Sequence, residues 1–172
     1  MATPRFSVRF YFRTLSQLLA NPKGFFTELP SDMGMATPFC FLMVSSIIFT
    51  LASLMNAAVG PLVAVAIFMA NAVGMVFITS GLGFMVTVLA LGRKDGYGRF
   101  FAVYAFSAGV TLLSSWMPYF LFIAEPWKWW LIYTGLTRNL ALKWQQALMV
   151  IGLSITILIL FFYSMLPFFS RA

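Results

Sequence analysis

The stretch "LGRKDGYGRFF", Leu91–Phe101, gathers Arg93, Lys94, Asp95 and Arg99 between glycines at 92, 96 and 98. Charge is rare everywhere around it. No charged residue occurs from Met33 through Gly92, from Phe100 through Ala124, or from Trp144 through Ser170. A bilayer accounts for this pattern, because a hydrocarbon layer about 30 Å thick takes roughly 20 apolar residues at about 1.5 Å of helix rise each. The flanking segments are long enough to cross it. The charged knot then reads as the connection between two crossings, with Gly92, Gly96 and Gly98 making the reversal. Composition agrees: 62% of the 172 residues are hydrophobic and 9% charged, against about a quarter charged in soluble domains.

Working outward from the hairpin gives an all-α, polytopic membrane protein, a five-helix transmembrane bundle preceded by an interfacial amphipathic helix. Thr37–Ala57 is uncharged, long enough to span, and has Pro38 in its first turn, where a helix tolerates it. "AVGP", Ala58–Pro61, is a tight turn into a second span over 61–91. About thirty helical residues would extend roughly 45 Å, so this span must tilt, bend or protrude. Gly81 and Gly83 in "SGLGF" mark the expected break. The third span covers 100–117, with a possible kinked continuation past Pro118. Glu125, Pro126 and Lys128 mark a connection, a fourth crossing covers about 127–142, and a fifth covers 144–169. The chain divides into an N-terminal segment, 1–35, and a membrane domain, 36–172.

Five crossings place Arg5, Arg9, Arg13, Lys23, Arg93, Lys94, Arg99, Arg138 and Lys143 on one side, leaving Lys128 and Arg171 for the other. The positive-inside rule makes the first side cytoplasmic, with the N-terminus inside and the C-terminus outside. Trp127, Trp129 and Trp130 then fall at the outer interface and Trp144 at the inner one. Arg5, Arg9 and Arg13 interrupt the first apolar run before any cleavable h-region, so this segment is expected to remain on the protein. As a helix over 4–20 it lines those arginines on one face, with Phe6, Phe10, Phe12, Leu15 and Leu19 covering much of the rest. Such a helix lies in the membrane surface, as a topology anchor or as a docking element for anionic lipid or an acidic partner.

Chemistry is constrained by what is scarce. There is no histidine and one cysteine, Cys40, so an intrachain disulfide is excluded and neither a metal nor another cofactor is expected. The acids are Glu28, Asp32, Asp95 and Glu125, all at expected connections. Ser45, Ser46, Ser80, Ser107, Ser114 and Ser115 have no evident base and read as hydroxyls bonded to helix carbonyls. An enzyme is therefore not expected. The formal charge of +7 is scattered between apolar runs and forms no nucleic-acid surface. No charge lies inside the clearest spans, which argues against a coupled transporter, although Asn56 and Asn71 offer amides that would either line a polar path or bond between helices. Ala66, Ala70 and Gly74 form a small-residue stripe at four-residue spacing, a face for close helix packing within the chain or against a partner.

Three stretches resemble landmarks of the Yip (Ypt-interacting-protein) domain family of five-span membrane proteins. "NPKGFFTELP", Asn21–Pro30, followed by "TPFCFL", is similar to the Asn-Pro-x-x-Phe-Phe element before the first helix. The hairpin with Gly92, Gly98, Phe100 and Phe101, then "VYAFSAGVTLL", resembles the second landmark, its proline displaced to Pro118. "YTGLTRNLALKWQQAL", Tyr133–Leu148, resembles the third. The resemblance covers about 21–166. Eukaryotic members carry a long cytoplasmic N-terminal region associated with Rab-type GTPases, whereas only about 35 residues precede the first span here. The chain is thus similar to compact bacterial or archaeal members, and the resemblance implies a cytoplasmic-membrane location and no covalent chemistry. The expected function is a scaffold or accessory subunit that binds another membrane protein, or a second copy, or organises lipid locally. The alternative is a lipid scramblase or small uncoupled permease.

Overall fold

The computed structural model describes residues 7–93 and 95–169, the side chains of Asn56, Pro118, Leu121 and 165–169 excepted. Among these residues the secondary structure is helical throughout: α1 (Val8–Ala20), α2 (Pro22–Glu28), α3 (Ala36–Ser53), α4 (Pro61–Leu91), α5 (Tyr97–Ser115), α6 (Leu121–Arg138) and α7 (Trp144–Phe169). Short 3-10 turns at Leu54–Asn56 and Pro118–Phe120 extend α3 and introduce α6. Three segments are long and apolar enough to cross a bilayer: Ala36–Ser53, Pro61–Leu91 and Trp144–Ser164. The molecule is a helical membrane protein.

Helix α5 is the axis of the bundle. Every residue from Phe100 to Thr111 is buried, and α3, α4 and α6 all pack on it. That explains why α5 is less apolar than a lipid-facing span: helices, not acyl chains, surround its serines, alanines and glycine. Each approach uses one glycine. A Cβ at Gly109 would meet the Phe41 ring of α3 at 2.7 Å, and one at Gly83 of α4 would lie 2.5 Å from the Tyr104 hydroxyl. At Gly135 of α6 it would strike Val103. Small residues let helix backbones approach closely, which is how association is achieved where lipid removes the hydrophobic drive.

Several boundaries differ from those expected. Helix α4 runs through Gly81 and Gly83 without interruption; Gly83 is there to admit Tyr104, not to end hydrogen bonding. Helix α5 stops at Ser115, and the chain reverses through Pro118–Phe120. Helix α6 begins at Leu121, so Glu125, Pro126 and Lys128 lie inside it and not in a connection. Pro126 forfeits one hydrogen bond, while the Lys128 ammonium and Glu125 carboxylate, one turn apart, pair at 2.6 Å. Among the described residues of the hairpin only Gly92 takes a left-handed conformation, φ 63°, donating its N–H to the Val88 carbonyl at 3.1 Å. Gly96 is extended at φ −72°, and Gly98 and Arg99 already belong to the first turn of α5.

The N-terminal helices are integrated with the bundle. Ser7 caps α1 by accepting the Phe10 N–H at 3.1 Å. Tyr11, Thr14 and Leu18, one face at helical spacing, are buried, and the Tyr11 hydroxyl is 3.0 Å from Ser45 Oγ of α3. Burial pushes the Tyr11 phenol above its ordinary value, and the Ser45 bond acts in the opposite sense. Arg9, Phe12, Arg13 and Leu19 remain exposed.

Candidate functional site

The three stretches singled out in the sequence meet at one end of the bundle. Asn21 serves two helices at once: its N–H closes α1 on the Gln17 carbonyl at 2.8 Å, and its Oδ1 caps α2 by accepting the Gly24 N–H at 3.0 Å. Pro22 occupies the first helical position, where its missing N–H costs nothing. A Cβ at Gly24 would sit 2.5 Å from the Asn21 amide nitrogen, so the cap and the glycine belong together. The two aromatics that follow enter the core. Phe26 is fully buried, and Phe25 packs edge-on against Phe106 of α5 at 5.2 Å.

Helix α6 ends above these residues with Asn139 as its cap, and the carbonyls of the turn that follows need a partner. The hairpin supplies one. Arg93 donates from Nη2 to the Leu140 carbonyl at 2.9 Å and from Nη1 to that of Ala141 at 3.3 Å. Arg99 donates to the Asn139 backbone carbonyl and, at 3.4 Å, to its Oδ1. Asp95 lies between the two guanidiniums, 2.8 Å from Arg93 Nε and 3.3 Å from Arg99 Nη1. Its side chain is only 12% exposed, so this pairing is less screened than a surface ion pair. Cations at a helix C-terminus also complement its dipole. Ala141 completes the turn in a left-handed conformation at φ 50°, the one such non-glycine among the described residues.

Asn139 completes the junction. Its amide nitrogen donates to the Leu29 carbonyl at 2.9 Å and to that of Phe26 at 3.4 Å. One side chain therefore joins the end of α2, the end of α6 and, through Arg99, the start of α5. Sequence reasoning passed over Asn139; the available signal was an amide between Arg138 and Leu140 in the short polar link of the third landmark. Arg93, Arg99, Gly92, Gly96 and Gly98 converge here, while Lys94 lies outside the described residues.

The other expected positions are elsewhere. Ala66 and Ala70 are exposed on α4, and nothing outside its own helix comes within 4 Å of a Cβ at Gly74. Arg9 and Arg13 are exposed on α1, whereas Arg5 lies outside the described residues. Of the six serines, Ser80, Ser114 and Ser115 donate to carbonyls of their own helices. Ser45 pairs with Tyr11. The Oγ atoms of Ser46 and Ser107 are buried without a hydrogen-bond partner. Among the described residues no three of Asp, Glu, Cys or His come together as a metal site.

A cavity of about 310 Å³ opens between the helices. Asn71 and Thr79 of α4, Thr111 and Ser115 of α5, and Glu125 and Lys128 of α6 supply its polar lining. The Tyr104 side chain also lines it, with its hydroxyl buried and unpaired. Asn71 is thus on a cavity wall and not part of a bonded helix contact.

Long apolar helices around a buried axial helix, tied by a polar junction at one end, define a multi-helix integral membrane protein. A family model for the Yip1 domain matches residues 16–165, and the chain belongs to the Yip1 domain family. The match takes in all three stretches that form the junction. No curated protein and no solved structure matches the chain.

Proposed function

We propose that the protein is a non-enzymatic membrane scaffold or accessory subunit, crossing the cytoplasmic membrane of a bacterium or archaeon five times with its N-terminus inside. The observation that carries this reading is the open stripe on α4. Ala66 and Ala70 are exposed beside Leu62, Val63 and Ile67, and half-buried Gly74 has open space where a Cβ would stand, a surface where the backbone of another helix can approach closely. The occupant is another membrane protein or a second copy of the chain. Exposed Arg9 and Arg13, with Phe12 and Leu19, suit α1 to a surface rich in anionic lipid. Arg93 and Arg99 of the hairpin bind carbonyls of the same chain, which favours an architectural over a catalytic use.

The test is affinity purification of the full chain from its native membrane in mild detergent, with native mass measurement of what accompanies it. A stoichiometric partner or a defined homo-oligomer is expected, lost on Gly74→Ile. Recovery of the chain alone, or an undiminished partner in the variant at normal yield, rejects this use of the stripe. The polar cavity, with Asn71 on its wall, favours a second reading as a lipid scramblase or small uncoupled permease. Fluorescent-lipid scrambling in liposomes containing the purified chain tests that.

A further inference from the structure

The chemistry of the cavity lining selects among ligands. Glu125 and Lys128 pair at 2.6 Å on its wall, their side chains 46% and 25% exposed. A ligand of one sign would draw away one member of the pair and leave the other without its partner. A ligand carrying both signs exchanges partners instead, its anion taken by the Lys128 ammonium and its cation by the Glu125 carboxylate. The neutral polar groups refine the choice. Thr79 donates its hydroxyl proton to the Met75 carbonyl at 2.7 Å, Ser115 to that of Thr111 at 2.7 Å, and Thr111 to that of Ala108 at 3.1 Å. A hydroxyl has one proton and two lone pairs, so what these three have left for a ligand is acceptor capacity. They suit a cation that donates hydrogen bonds, while the Asn71 amide on the same wall has donors for an anionic group.

We infer that this cavity binds the headgroup of a zwitterionic phospholipid carrying a primary ammonium, with its phosphate on Lys128 and its ammonium among Glu125 and the three hydroxyls. A volume of about 310 Å³ lies at the small end of the roughly 300–1,000 Å³ typical of ligand sites, enough for a headgroup while the acyl chains remain in the bilayer. A quaternary ammonium has no proton to offer those acceptors and forgoes these hydrogen bonds, keeping only its attraction to the Glu125 carboxylate and the Trp129 ring. The inference deepens the lipid-handling reading and rests on it only in having the cavity face the membrane. A bound headgroup without scrambling would retain the site and remove the transport.

The experiment is native mass spectrometry of the full chain released from nanodiscs containing equal parts of dioleoyl phosphatidylethanolamine, phosphatidylcholine and phosphatidylglycerol. The ethanolamine lipid is expected to be retained over each of the others by about tenfold, the scale of one charge-assisted hydrogen bond. The double variant Glu125→Gln, Lys128→Gln should abolish that preference. Equal retention of the three lipids by the unmodified chain, preferential retention of the choline or glycerol lipid, or an unchanged preference in the double variant overturns the assignment. The first two outcomes need no variant, so they hold whatever the substitutions do to folding.

Discussion

Asn139 shows how much of this architecture passes through one side chain. Its amide nitrogen donates to the Leu29 carbonyl while its Oδ1 accepts from Arg99, so Asn139→Ala strands a carbonyl at the end of α2 and loosens Arg99 of α5. Leaving buried hydrogen-bonding groups unsatisfied costs about 1–3 kcal/mol. A fall of that size should appear as a lower thermal midpoint in detergent; an unchanged midpoint would show the junction to be energetically idle. Gly83 gives a second prediction. Gly83→Ala places a methyl against the Tyr104 hydroxyl, and overpacking of a tight core costs about 1–3 kcal/mol. Adding Tyr104→Phe removes the clashing oxygen and should recover much of the loss, with non-additivity read from a double-mutant cycle. Residue roles of this kind were the least legible part of the sequence. Gly83 reads as a break because glycine weakens helices, but its partner is brought alongside only by folding. Asn139 is silent for the same reason: its partners Phe26 and Leu29 lie more than a hundred residues away.

At the scale of elements, legibility followed the strength of local signals. Pro61 and Gly92 bound α4, because a proline at the first position and a left-handed glycine at the last are chemical requirements of helix ends. The start of α6 was hidden, since Glu125, Pro126 and Lys128 look like a loop until the two charges pair across a helical turn. Helix α1 carries its own prediction. The Tyr11 phenol is raised by burial above its ordinary value of 10.0, so its contribution to docking is complete below about that pH and is lost as pH rises through the folded value. Hydrogen exchange in α1 should therefore accelerate in strong alkali before the rest of the bundle, and Tyr11→Phe should remove this alkaline sensitivity. Persistence of the same step in the variant would assign it to another group. On α4, Gly74→Ile should leave the monomer's thermal midpoint nearly unchanged, because nothing in the chain fills that space. A large drop would place an internal contact there.

For the whole molecule, the helical membrane class was plain from the distribution of charge, but composition alone does not reveal which helix lies at the centre. Helix α5 has Phe, Ala, Ser and Gly in a sequence less apolar than those of α3, α4 and α7, yet it is the most enclosed, since a helix wrapped by other helices need not please lipid. The same reasoning bears on the proposed five crossings: α5 would pass through the membrane inside the protein, with α6 beside it, where Glu125 and Lys128 face a cavity. Five crossings place 96 and 172 on opposite sides. In a Cys40→Ala background, a cysteine at Gly96 should therefore be labelled from the inside and one at Ala172 from the outside by an impermeant reagent. Labelling of both from one side would require an even count.

The bond between Asn139 and Leu29 also sets a timetable. Its two ends are separated by 110 positions, which a ribosome working at about 5–20 residues per second takes roughly 5–20 s to traverse. Throughout that interval α2 has emerged, but the end of α6 that fastens it has not been made. Until then the end of α2 is held only by contacts made earlier, such as Phe25 against Phe106, and nascent chains arrested before residue 139 should be cut more readily near Glu28 than the finished protein.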